Sequence, residues 1–137
     1  MDPEDTGAPE AADAQQQAER VGAQVIELDC ASDIATLRAS DSYGRADHSA
    51  TTVAKQAELR VVLIALKAGG TMHEHHADAP ITVHGLEGRI LFGVGGQSHE
   101  VTSGRVLVVA AGLPHSIRAI EESAFLLTIG GMHDAHD

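Results

Sequence analysis

The punctuation of the sequence from Leu59 to Ile129 constrains the fold more than any other feature. Short apolar runs rich in Val, Ile and Leu are separated by glycine, and none sustains a helical period. Candidate strands are Leu59–Lys67, Met72–His76, Ile81–Leu86, Arg89–Val94, Ser98–Thr102, Val106–Ala110, Ser116–Ile120 and Ala124–Ile129. Turns fall at Gly69-Gly70, Glu87-Gly88, Gly95-Gly96, Ser103-Gly104 and Gly112-Leu113-Pro114. That many short strands on tight turns require two packed sheets or a closed barrel, because only those arrangements bury the apolar faces and limit free edges. The expected fold is an all-β jelly-roll barrel over residues 59–130.

Upstream the signals are weaker. Residues 1–22 hold six carboxylates (Asp2, Glu4, Asp5, Glu10, Asp13, Glu19) against Arg20 and have no large apolar side chain before Val21, which predicts a disordered acidic tail, or at most a frayed helix around Ala11–Arg20. Residues 23–58 read as an extension. Val25–Leu28 is a possible first strand, Ser32-Asp33 caps a short helix through Ile34 and Leu37, Asp41–Asp47 is turn chemistry, and Thr51–Ala54 is strand-like. Residues 131–137 read as a mobile tail.

With 137 residues the chain is the size of one domain with a real core. Its 20 acidic and 9 basic residues give a formal charge of -11, which opposes nucleic acid and anionic lipid as partners. The lone Cys30 cannot form an internal disulfide, and no apolar run approaches the roughly 18 residues of a membrane span. No basic, apolar leader opens the sequence, so a cytoplasmic protein is expected.

Histidine placement carries the chemistry. Side chains two apart on a strand share a face, so His73 and His75 are expected to project together, with Glu74 and His76 opposite. Two imidazoles on one face are half of a metal site.

The run from Leu63 to Ile129 resembles the barrel of the cupin superfamily. Its first motif, a histidine pair followed by an acid and a glycine turn, is matched by His73-Glu74-His75 and Leu86-Glu87-Gly88. Its second is matched by Gly104, Val106–Val109, Gly112 and His115. The resemblance implies that His115 joins His73 and His75 as a third metal ligand. Where the family usually has a metal-binding glutamate, this chain has Ile81. Ala110 replaces a proline, and Ala119 an asparagine.

Three imidazoles suit a divalent transition metal, Zn, Fe, Ni or Cu, with positions left for water or substrate. The family resemblance implies oxygenase or isomerase chemistry in some members and ligand binding without turnover in others. Both readings stand for this chain: a mononuclear metalloenzyme, or a small-molecule binding or sensing module. Only Tyr43, Phe92 and Phe125 are aromatic, so an aliphatic pocket for a small, partly apolar organic ligand is expected.

Other groups rank lower. His84 is a conceivable fourth ligand, but alternation from Ile81 turns it away unless a bulge intervenes. His76, Asp78, His48, His99, His133 and His136 read as loop, surface or tail residues. Glu87, Glu100, Glu121 and Glu122 lie beside turns, where acids are solvated. The glycine turns lack the lysine and helix of a phosphate loop. Ser116 beside His115 is no hydrolase pair, since neighbours on a strand face opposite ways. A barrel with open edge strands predicts a homodimer.

Overall fold

The computed structural model describes residues 24–75 and 78–131. The expected acidic tail, His76, His133 and His136 lie outside the described residues. Two helices, α1 (Cys30–Arg38) and α2 (Asp41–Arg45), precede nine strands. These are β1 (His48–Gln56), β2 (Leu59–Leu66), β3 (Thr71–His75), β4 (Ile81–Glu87), β5 (Arg89–Val94), β6 (Gln97–Thr102), β7 (Val106–Val109), β8 (His115–Ala119) and β9 (Ser123–Gly130). All pairings are antiparallel, and they form a five-stranded sheet in the order β1-β2-β9-β4-β7 and a four-stranded sheet in the order β3-β8-β5-β6. The jelly-roll expectation is therefore met by two packed sheets, which do not join into one continuous hydrogen-bonded barrel.

The period-2 alternation sorts the side chains into two layers. Ile64, Leu66, Ile81, Val83, Ile90, Phe92, Val101, Val109, Ile117 and Phe125 meet between the sheets as the main core. The outward face of the five-stranded sheet carries Val53, Leu63, Ala65 and Ala124, and there Ile34, Leu37 and Tyr43 of the helices pack as a second core. β2 is thus buried on both faces at its end, which explains its unbroken apolar run Leu63–Leu66.

Two parts of the N-terminal reading change. The strand expected over Val25–Leu28 does not form, and the next residue, Asp29, caps α1 by accepting a hydrogen bond from the Ser32 amide at 3.2 Å. The stretch expected as turn, Asp41–Asp47, begins as a helical turn, capped by Ser40 at the Tyr43 amide (3.3 Å). Burying Tyr43 against the sheet outweighs the turn tendency of Asp41, Ser42 and Gly44. The Tyr43 hydroxyl donates to Glu122 Oε2 at 2.9 Å, and burial followed by that bond pushes its phenol pKa up. Arg38 reaches Glu87 Oε1 at 2.7 Å, so both helices are tied to the turns that flank β9 and β4.

Those turns are tight. Gly88 has φ +76, and a Cβ there would run into the Glu122 carbonyl oxygen and Ser123 Oγ. The buried Ser123 hydroxyl accepts from the Arg89 amide at 2.9 Å and lies 2.6 Å from the Glu121 carbonyl, so it satisfies the backbone where β4 turns into β5.

Candidate functional site

Strand β8 supplies the central side chain. Its burial alternates strictly: His115, Ile117 and Ala119 face the core, and Ser116 and Arg118 face out. His115 is only 4% exposed, and its ring stacks on Phe92 with centroids 5.1 Å apart and planes at 27°. The interior of the barrel is otherwise apolar over most of its length, so this imidazole is a marked chemical feature there.

Strand β3 lies beside β8. Thr71 pairs with Arg118 and Met72 with Ile117, but His75, not Glu74, is the backbone partner of His115. This register shift adds one residue between Met72 and His75, so strict backbone alternation does not run through β3. His73 is exposed and lines a groove on the outer face together with Ser116 and Arg118. The structure therefore brings His75 into backbone register with His115 and leaves His73 on the opposite side of the sheet. A bulge within five residues carries no composition signal, and simple alternation missed it.

Ile81, at the place of the family's usual carboxylate, is 3% exposed and belongs to the core. His84 is half-buried on the other face of β4, as alternation requires; the irregularity in that strand falls later, between Gly85 and Glu87. Among the described residues, no group of three or more His, Cys, Asp or Glu is placed to hold a metal ion.

Two histidines read as surface residues are more buried than that. His99, expected at the surface, is half-buried and directly opposite Phe92 on β6, sharing the inward face with Val101. The alternation Ser98-His99-Glu100-Val101 contains that signal. His48, also read as a surface residue, is half-buried at the start of β1 and hydrogen-bonded to Asp47 Oδ1 at 2.7 Å, and Asp47 Oδ2 accepts from the Thr71 amide at 3.2 Å. The His48 bond, then the Thr71 amide, hold the Asp47 carboxyl below its ordinary value. The acids beside turns serve as ion-pair partners, Glu87 and Glu122 for Arg38 and Glu100 and Glu121 for Arg89.

Among the described side chains, the buried donor here is the His115 imidazole, a ligand type that fits Zn, Ni, Cu or Fe better than hard ions such as Mg or Mn.

Residues 60–130 match the family model described as a cupin domain. A comparison with curated proteins finds no match. Among solved structures, a cupin superfamily protein from Desulfitobacterium hafniense aligns over 82% of this chain and 95% of its own, with 18% identity and a TM-score of 0.64. An rmlC-like cupin protein from Desulfovibrio desulfuricans aligns over 69% and 92%, with 26% identity and a TM-score of 0.59. A salicylate 1,2-dioxygenase from Pseudaminobacter salicylatoxidans aligns over 61% of this chain but 26% of its own, with 18% identity and a TM-score of 0.58.

Proposed function

The chain belongs to the cupin domain family, and from that premise we propose that its barrel mouth binds a small organic ligand through a divalent transition metal held by His75 and His115. The observation that carries this reading is the buried His115, set on Phe92 and in backbone register with His75. Imidazole nitrogen is the commonest protein donor to such a metal, and this ring is held in the barrel interior with its plane fixed by Phe92.

The metal, when bound, would act as a Lewis acid and orient an oxygen of the ligand. The protein's own residues would do the rest. Phe92 fixes the plane of the His115 ring, the aliphatic walls exclude water from the ligand's apolar part, and His99 offers a second polar contact from β6. Ile81 removes the carboxylate that would add negative charge to the site, which weakens affinity for hard ions.

A second reading is binding without metal or turnover. Ile81 and the outward position of His73 favour it, because each removes a donor that a strongly held metal would use. Elemental analysis of purified protein, next to His115→Ala, separates the two. Stoichiometric Zn, Fe, Ni or Cu lost in the variant supports the metal reading. A metal-free protein that still binds small organic acids or diols at the mouth supports the other.

A further inference from the structure

We propose that the outer face of the four-stranded sheet carries a separate ligand site, an oxyanion groove in which Arg118 receives the carboxylate or phosphate of a small organic anion. The strand register lays this face out in two rows. One runs from Thr71 through Arg118 and Leu91 to Glu100; the next runs through Ser116, Gly93 and Ser98. A groove of about 380 Å³ spans these rows and takes in His73 from the edge strand. That volume falls in the range of small-molecule sites, roughly 300–1,000 Å³.

Charge and hydrogen bonding favour an anion there. The sequence carries 20 acidic residues, yet none of the residues lining the groove is acidic. Glu100, at the end of the first row, is already held by Arg89 Nη1 at 3.0 Å. Arg38, Arg60 and Arg89 have side-chain partners, whereas the guanidinium of Arg118, like those of Arg45 and Arg105 elsewhere on the surface, has no hydrogen bond or ion pair among the described residues. Its guanidinium presents a planar fork of donors that matches a carboxylate or phosphate bidentately. Hydroxyls of Ser98, Ser116 and Thr71 and the His73 ring add further donors, and Leu91 offers an apolar wall for a short carbon skeleton. Gly93 keeps the floor open, since a Cβ at that position would come within 3.0 Å of Ser116 Oγ. The groove lies on the far side of the sheet from His115 and does not rest on the metal reading.

The test is an amide chemical-shift titration of the full-length protein with succinate and, separately, inorganic phosphate, at ionic strength held constant with chloride. Saturable shifts at Thr71, Gly93 and Ser116 are expected with at least one probe, and which probe acts tells a carboxylate groove from a phosphate groove. Arg118→Gln should weaken binding at least about tenfold, Arg118→Lys less, and Gly93→Ala should weaken it by narrowing the floor, while His115→Ala leaves it intact. Absence of saturable shifts with both probes, or equal affinity in Arg118→Gln, overturns the proposal. Shifts lost in His115→Ala but kept in Arg118→Gln would place the anion at the barrel mouth instead and overturn it as well.

Discussion

The ring of His115 rests on the ring of Phe92, 5.1 Å between centroids and 27° between planes, so the one buried histidine of the described barrel is positioned by a fully buried aromatic residue. Phe92→Ala removes that support together with a central piece of the core, and should cost about 3–5 kcal/mol of stability in urea unfolding. Phe92→Leu should cost clearly less while still freeing the His115 ring, read as broadening of its imidazole resonances. A His115 ring equally ordered in Phe92→Leu would contradict this role.

Gly88 and Gly112 both have positive φ, +76 and +84, but only Gly88 is hemmed in. An alanine at Gly112 meets open space and should lose only the left-handed backbone penalty, about 1 kcal/mol. The same change at Gly88 also drives a methyl into the Glu122 carbonyl and the Ser123 hydroxyl, so its loss in thermal or urea unfolding should be at least twice as large. Equal losses would show that the turn between β4 and β5 can relax.

Asp47 fastens the start of β1 to β3 through His48 and the Thr71 amide. Its carboxyl is held below the ordinary 3.8, so the stabilisation it provides is present above that value and is lost as pH falls through the lower folded value. The stability difference between the native chain and Asp47→Asn should therefore be full at about pH 5.5 and shrink at about pH 3. A difference independent of pH across that range would rule out the carboxylate as its source.

The strand pattern was legible because each apolar run from Leu59 to Ile129 ends at a glycine or polar turn, so local chemistry alone marks the elements. The pairing of His75 with His115 was not, since a single extra residue in β3 interrupts alternation and leaves no trace in composition. Asp41–Arg45 was misread for a different reason: tertiary burial of Tyr43 overrides local turn propensity. His99 could have been found by applying to β6 the alternation used for β4.

Strand β7 is an edge of the five-stranded sheet and exposes Val106 and Val108 at 51% and 79%. An open edge with that apolar face is an aggregation hazard unless covered, and we propose that a second copy covers it in a homodimer. Light scattering at micromolar concentration should return the dimer mass, and Val108→Asp should return the monomer. A monomeric native chain would refute the proposal.

Metal content across histidine variants tests the central claim most directly. About one equivalent of Zn, Fe, Ni or Cu per chain is expected in protein lacking residues 132–137, retained in His73→Ala and lost in His75→Ala and His115→Ala. Metal that survives His115→Ala, or metal that depends on His73, would contradict a site built on His75 and His115 at the barrel mouth.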